Sequence, residues 1–273
     1  MQLMATDRNT NEQYAQGQPT SSWTTSTDNA YALELFANRK SKVSVVVPTK
    51  NEELGIGAVL TACRPYCDEL IIVDGHSTDR TQEIATSLGV RVILDNGKGK
   101  GDAIRVAIES TTSDIIVFID ADHSHCPEDI PRIVAPILDD KYDHVVGSRS
   151  RGGSDELHGD FGKFMRMIGS DIITLGINYR FNVRLTDSQN GFRALRTQVA
   201  RDLHLQEDIT TIEQEMTIKT LARGHRMGEV PTHEYARRFG ESKIKLSRVA
   251  FRYVYSWLKY LIFAKRGPKA HSE

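Results

Sequence analysis

The run Ile115-Ile116-Val117-Phe118-Ile119-Asp120-Ala121-Asp122 decides the fold. Five consecutive apolar residues read as a strand buried on both faces, since a strand with one wet face alternates apolar and polar residues. The run stops at two carboxylates separated by one small residue. Four further stretches share this form: 43–47 ends at Pro48, 70–73 at Asp74, 90–94 precedes a Gly/Lys-rich turn, and 144–147 ends at Ser148. Segments of helical periodicity lie between them, at 56–63, 81–88, 103–108 and 130–138. Asp79 is placed to cap the second, and Pro131 falls in the first turn of the fourth. Short buried strands alternating with helices predict βαβ units: an α/β fold with a mostly parallel sheet and helices on both faces.

In such a sheet the carboxyl ends of the strands share one edge, and ligands bind outside that edge. The polar clusters follow the same rule. Pro48-Thr49-Lys50-Asn51-Glu52, Asp74-Gly75-His76-Ser77, the loop 96–101, Asp120-Ala121-Asp122 and Ser148-Arg149 each follow a strand. Five clusters therefore converge on one crevice.

Asp120 and Asp122 would repel each other if left alone. A hard divalent cation such as Mg²⁺ or Mn²⁺ removes that conflict and can bridge to a diphosphate; a pair of ordinary loop acids is the plainer alternative. His123 and His125 admit a transition-metal reading, against which stands the commoner case of surface loop histidines. Asp74 sits where carboxylates accept hydrogen bonds from a ribose or base, although it could equally lead the following helix. Asn51 and Glu52 could read a base edge, and Pro48 fixes the strand exit. The Gly97–Gly101 loop, with Lys100, could approach phosphates or could be a solvated turn. It is not a Walker loop.

Arg149, and Lys163 and Arg166 on the next helix, suit an anionic acceptor such as a phosphate. Asp187-Ser188-Gln189-Asn190-Gly191-Phe192-Arg193 is a polar loop in which Asp187 could orient or deprotonate a nucleophile; a β-turn carrying a packed Phe192 is the alternative. Arg237 to Lys243 reads as a basic segment able to close over a diphosphate. The final helix, about 245–265, places Arg248, Arg252 and Lys259 on one face. Leu246, Val249, Val254, Trp257, Leu258 and Leu261 fall on the other, with aromatic residues between. This suits a membrane interface, or packing against its own domain.

The whole chain fits one large domain with tails: 273 residues, 39% apolar, formal charge −1. Near-neutral charge gives no case for nucleic acid. The three cysteines, Cys63, Cys67 and Cys126, form no CxxC pair and read as reduced thiols. No apolar run approaches the ~20 residues that span a bilayer, and no signal-peptide core is present. Residues 1–41 read as a flexible polar tail with a short helix near 30–38, 42–243 as the catalytic domain, and 244–273 as an amphipathic helix and basic tail.

Taken together, residues 45–52, 73–79 and 98–101, Asp120-Ala121-Asp122, Gly147-Ser148-Arg149, 187–193 and Gly240-Glu241-Ser242-Lys243 occur in the order seen in family 2 glycosyltransferases. The likeness is greatest to the branch of dolichol-phosphate mannose synthase and bacterial polyprenyl-phosphate glycosyltransferases. The resemblance implies a GT-A fold and an inverting, metal-dependent transfer of a hexose, mannose or glucose, from a GDP- or UDP-linked donor to a polyprenyl phosphate. It implies that Pro48, Asn51, Glu52, Asp74 and Lys100 hold the nucleotide, and that Asp120 and Asp122 hold metal and diphosphate. Arg149 would face the lipid phosphate, with Asp122, Asp187 and Arg149 nearest the chemistry. Gln189, Asn190 and Arg193, with Lys163 and Arg166, would line sugar and acceptor, and Arg237, Arg238, Ser242 and Lys243 would close the site. The expected location is the cytoplasmic membrane face, held peripherally.

Two departures stand out. Ser124 occupies a position that is often glutamine and a further metal ligand, so water or a weaker site is expected there. The loop 187–193 also differs from the common Asp-x-Thr-Ser-Gly-Phe-Arg. Three alternatives stay open: a family 2 enzyme using a glycan or small soluble acceptor, a dinucleotide-dependent enzyme, and a non-catalytic nucleotide-sugar-binding protein. The dinucleotide reading is weakened because Gly55-x-Gly57 is followed by Leu60 where a third glycine belongs.

Overall fold

In the computed structural model the described residues are 27–155, 161–237 and 246–264. Side chains are described for 29–155, 165, 167–237 and 251–264. The elements, in chain order, are α1 (Thr27–Ala37), β1 (Val43–Thr49), α2 (Ile56–Cys63), β2 (Glu69–Asp74), α3 (Thr81–Ser87), β3 (Arg91–Leu94), α4 (Lys100–Ser110) and β4 (Ile115–Phe118). They continue with α5 (Ile130–Leu138), β5 (His144–Ser148), α6 (Arg149–Gly152), α7 (Phe161–Phe181), β6 (Arg193–Arg196), α8 (Thr197–Asp202), α9 (Ile212–Ala222), β7 (Met227–Pro231) and α10 (Leu246–Phe263). All five expected strands and four expected helices form within a few residues of their predicted bounds.

One seven-stranded sheet has the order β3-β2-β1-β4-β6-β5-β7. Strands β3, β2, β1 and β4 are mutually parallel; β6 runs antiparallel to both β4 and β5, and β7 is parallel to β5. Two reversals leave β5 pointing the same way as β4, so β1 to β5 and β7 all end on one edge. β6 begins there. The polar loops therefore meet as the sequence implies, and β6 and β7 bring two more.

The alternation of side chains along β1 shows how the sheet is buried. Val45 and Val47 face a core with Ile56, Leu60, Ile133 and Phe36, while Val46 faces one with Ile104, Ala107, Phe118 and Met216. Helices α1, α2, α3 and α5 cover the first face, and α4, α8 and α9 the second. Pro48 is tolerated in a central strand because β4 pairs with β1 only through Val46. Helix α1 packs onto α5: Ala32 and Phe36 are buried, and Tyr31 Oη donates to Asp139 Oδ1 at 3.2 Å. Asp79 serves the start of α3 as expected, accepting from Thr81 N at 3.0 Å, and it also accepts from Glu53 N at 3.1 Å.

A third cluster joins α7, α9 and α10 through Ile173, Ile177, Leu185, Ile218, Trp257 and Tyr260. The faces of α10 differ from the expected stripe. Tyr253, Ser256 and Tyr260 turn inward, and Lys259 Nζ lies over the Tyr260 ring at 4.6 Å, so this lysine is not on a purely solvent face. Val254 and Leu258, expected on the packed side, are exposed beside Phe251 and Tyr255. Trp257, expected on the same side, does pack inward, with Gly176 against its indole. Leu246, Arg248 and Val249 lie outside the residues with described side chains. No helix among the described residues is long and apolar enough to cross a membrane.

Candidate active site

The carboxyl edge centres on Asp120 and Asp122, just past β4. Each already has a cation. Lys100 Nζ, on the first residue of α4, lies 2.6 Å from Asp120 Oδ1 and 3.0 Å from Glu213 Oε1. Arg237 Nη2 lies 2.9 Å from Asp122 Oδ2. Burial opposes charge on Asp120, but Lys100, by charge and hydrogen bond, and Arg237 outweigh it and lower its pKa. Burial likewise opposes charge on Lys100, and Asp120 and Glu213 outweigh it, so its pKa is raised.

The donor set suits a hard divalent cation: two carboxylates whose charge the fold balances with side chains that can move. Among the described residues no group of three or more His, Cys, Asp and Glu side chains is arranged to hold a metal. Ser124 is buried and uses its backbone, donating to Asp122 Oδ1 at 3.1 Å and accepting from Tyr235 N at 2.8 Å. The two histidines are not plain surface residues. His123 Nε2 is 2.9 Å from Gly55 O. His125 is 6% exposed, stacks on Phe192 at 5.2 Å and leaves Nδ1 buried without a hydrogen-bond partner. Burial lowers its pKa despite Asp120, keeping the ring neutral.

The Gly97–Gly101 loop works differently from the expectation. Gly99 has φ 122, and a Cβ there would stand 2.8 Å from Asp208 O; one on Gly101 would overlap the Glu207 carbonyl. These glycines admit the 207–208 backbone, whose Asp208 O accepts from Gly101 N at 2.9 Å. Close packing of two protein segments, rather than approach to a phosphate, is what they permit. Lys100 alone of this loop is aimed at the aspartates.

Asp74 is fully buried, and its oxygens accept from Ser77 N (2.8 Å), Ser77 Oγ (2.5 Å), Gln82 Nε2 (2.7 Å) and Thr49 Oγ1 (3.3 Å). It shapes the loop after β2 rather than presenting free oxygens. Asn51, at φ 56, joins that loop to the end of β1: its Oδ1 accepts from Thr78 N and its N donates to Ser77 Oγ, both at 2.8 Å. Glu52 N donates to Thr81 Oγ1 at 2.8 Å. Pro48, Asn51 and Glu52 thus lie at the same edge.

Arg149 and Asp187 form a two-pronged pair, Nε to Oδ2 at 2.6 Å and Nη2 to Oδ1 at 3.0 Å. Glu234 Oε1 adds a third contact to Arg149 at 3.3 Å. Burial opposes both charges, yet each holds the other ionised: the Asp187 pKa is lowered and that of Arg149 raised. Both Asp187 oxygens are occupied, since Gln189 N also donates to Oδ1 at 3.1 Å. Glu229 accepts from Asp187 N at 2.7 Å and Thr186 N at 2.8 Å, with burial pushing its own pKa up.

Arg193 and Asn190 do not line the crevice. Arg193 is fully buried and donates to the carbonyls of Asn190, Glu213 and Ser188, its pKa lowered by burial to about 10. Asn190 Nδ2 donates to Gly147 O at 2.7 Å. These two form the inner scaffold of the loop. Gln189 is partly exposed, with Oε1 unpartnered. Gly191 is tight against the acidic pair: a Cβ there would lie 2.8 Å from Lys100 Nζ and 2.9 Å from Asp120 Oδ2. Arg238, Ser242 and Lys243 lie outside the described residues, as do the side chains of Lys163 and Arg166. Glu213 and Glu234, which hold Lys100 and Arg149, were missed by the sequence reading. Their nearest signal was an acidic residue next to a buried run, common to many helices and strands.

The carboxyl-edge site on a mostly parallel sheet invites comparison with known proteins. Residues 44–203 match the family described as Glycosyl transferase family 2, and the chain belongs to it. The chain is 31% identical over 205 residues to the dolichyl-phosphate hexose transferase of Haloferax volcanii, covering 74% of this chain and 86% of that one. It is 29% identical over 222 residues to the undecaprenyl-phosphate 4-deoxy-4-formamido-L-arabinose transferase of Yersinia pestis, covering 76% and 64%. It is 32% identical over 200 residues to the Haloferax volcanii glycosyltransferase AglJ, covering 71% and 63%. The chain thus spans less than two thirds of the length of some curated relatives. The fold matches glucosyl-3-phosphoglycerate synthase of Mycobacterium tuberculosis, solved with Mn²⁺, UDP and phosphoglyceric acid, at TM-score 0.69 and 24% identity over 88% of this chain and 84% of that one.

Proposed function

We propose that this chain moves a hexose, mannose or glucose, from a GDP- or UDP-linked donor to a polyprenyl phosphate, with inversion. The observation that carries the reading is the acidic pair at the shared strand edge, with each aspartate balanced by a cationic side chain whose place a divalent cation can take. The names of the Haloferax and Yersinia relatives favour a polyprenyl phosphate as acceptor.

In this reading Asp120 and Asp122 hold Mg²⁺ or Mn²⁺, which when bound would offset charge on the departing diphosphate. Arg237 moves from Asp122 to the diphosphate oxygens, while Lys100, displaced from Asp120 toward Glu213, stays beside the same charge. Pro48, Asn51 and Glu52 edge the nucleotide subsite, and Asp74 fixes its floor. An acceptor phosphate oxygen attacks the anomeric carbon while the bond from that carbon to the diphosphate oxygen breaks on the opposite face. The acceptor is already ionised, so no general base is needed. Asp187 accordingly holds Arg149 toward the acceptor side, and Gln189 offers its unpartnered carbonyl to sugar or acceptor.

Membrane contact completes the account. The catalytic body includes α1, which packs on the sheet where a flexible tail over 1–41 was expected, and α10 has both a packed face and an exposed face that would meet lipid. Leu175 and Tyr179 of α7, with Phe251, Tyr255, Ile262 and Phe263 of α10, are large apolar residues left exposed on two helices that pack together. Helix α7 leads directly into the Asp187 loop, so a bilayer against this face lies beside the acceptor side of the crevice. The position is peripheral, on the cytoplasmic face.

A thermal-shift panel of nucleotide sugars with Mn²⁺ would identify the donor. Turnover with polyprenyl phosphate in vesicles, against a soluble phosphorylated acceptor, then tests the substrate. A lipid-linked sugar is the expected product. Glycosylation of the soluble acceptor alone would overturn the lipid reading, and donor binding without transfer to either would overturn catalysis.

A further inference from the structure

Lys100 is shared between two carboxylates, only one of which belongs to the acidic pair. Glu213, on the first turn of α9, is 3% exposed; its Oε1 takes Lys100 Nζ at 3.0 Å, and its Oε2 is buried without a hydrogen-bond partner. The fold holds the two elements in register. Asp208 O accepts from Gly101 N at 2.9 Å, Arg105 Nη2 meets Asp208 Oδ1 at 2.5 Å, and Arg193 Nη1 donates to Glu213 O at 3.1 Å. Gly191 seals the far side, where a Cβ would stand 2.8 Å from Lys100 Nζ. The ammonium thus has two defined anionic positions and little room elsewhere.

We propose that Glu213 is a positioning residue: it draws Lys100 off Asp120 so that a divalent cation can take the carboxylate. The inference rests on the metal reading of Asp120 and Asp122. Lys100 and a dication compete for the same oxygen and repel each other at contact distance. With Glu213 present, the displaced ammonium keeps a full anionic partner whose second oxygen is unused. Without that charge, the only anion left at contact distance from Lys100 among the described residues is Asp120, and the metal must expel a cation that has nowhere comparable to go. Glu213 therefore raises metal affinity through Lys100 and touches no metal itself.

The test is Mn²⁺ binding in the absence of donor, followed by electron paramagnetic resonance of the free ion, with Lys100→Met, Glu213→Gln and the double variant. Glu213→Gln weakens Mn²⁺ binding about tenfold, a coupling normal for charged groups in contact. Lys100→Met, which removes the competitor, tightens it. In the Lys100→Met background Glu213→Gln changes affinity by less than about twofold, because its effect runs through the ammonium. An undiminished tenfold loss there would show that Glu213 acts as a simple through-space charge, and would overturn the proposal. So would unchanged affinity in Glu213→Gln alone. If Glu213→Gln does not fold, Lys100→Met still decides: equal or weaker binding removes the competition on which the inference stands. Failure of the wild type to bind Mn²⁺ would overturn the metal reading itself, an outcome distinct from all of these.

Discussion

Replacing Asp187 with Asn separates the two roles its position suggests. The Asp187 carboxylate is 4% exposed and takes Arg149 Nε at 2.6 Å and Nη2 at 3.0 Å. Asp187→Asn leaves the Arg149 guanidinium buried with the Glu234 carboxylate, 3.3 Å away, as its remaining anionic partner. Breaking a buried pair by removing one charge costs about 3–5 kcal/mol. Asn keeps one acceptor oxygen, so the low end applies, about 3 kcal/mol. At about 2–4 °C per kcal/mol for a domain of this size, the melting midpoint falls by about 6–12 °C. The pH dependence has a definite sign. Arg149 lowers the folded-state pKa of Asp187 against the effect of burial, so the pair's stabilisation is present above the ordinary aspartate value, about 3.9, and is lost as pH falls through the folded value. The gap between wild type and variant is therefore full at pH 7 and closes below about pH 4. Urea unfolding at pH 7, 4 and 3 measures it. A variant as stable as wild type at pH 7 but with turnover abolished would refute the positioning role and restore Asp187 as a base.

Other perturbations probe the packing and the surface. Gly101→Ala forces a methyl group into the Glu207 carbonyl; calorimetry should show a loss of about 1–3 kcal/mol, whereas a solvated loop would tolerate it. Leu175→Glu with Tyr255→Glu should abolish co-sedimentation with anionic vesicles, since each exposed side chain contributes about 1.5–3 kcal/mol when fully buried in lipid. The melting midpoint should stay unchanged, because both side chains are exposed. Retained vesicle binding would place the membrane contact elsewhere.

The first five strands were legible because each is a continuous apolar run stopped by a polar turn, and only a doubly covered sheet needs that pattern. Strands β6 and β7 were not legible. Arg193-Ala194-Leu195-Arg196 carries an arginine at each end, and Met227-Gly228-Glu229-Val230-Pro231 contains both glycine and proline. Glycine is required there, because a Cβ on Gly228 would overlap the Tyr142 ring. Tertiary contact thus overrode local propensity. The site residues show the same limit. Residue type and place after a strand located Asp120, Asp122, Lys100 and Arg149 at one edge, while Asp187 stood out only as the head of a polar loop. Which way each side chain turns was not readable: Arg193 faces carbonyls, and Asp74 is enclosed by its own loop. Periodicity put Val254 and Leu258 on the apolar side of α10 with Trp257 and Leu261, yet only Trp257 and Leu261 pack on α7 and α9, beside Tyr253 and Tyr260.

The central claim, metal-assisted sugar transfer at the acidic pair, is tested most directly by one assay. Purified protein is supplied with its nucleotide sugar, polyprenyl phosphate in vesicles and Mn²⁺, and lipid-linked sugar is measured for wild type, for wild type in excess EDTA, and for Asp122→Ala. The account predicts product from wild type alone, with Asp122→Ala folded and at least about 10²-fold slower, as when a group stabilising transition-state charge is removed. Product formed at the wild-type rate in EDTA or by Asp122→Ala would contradict it.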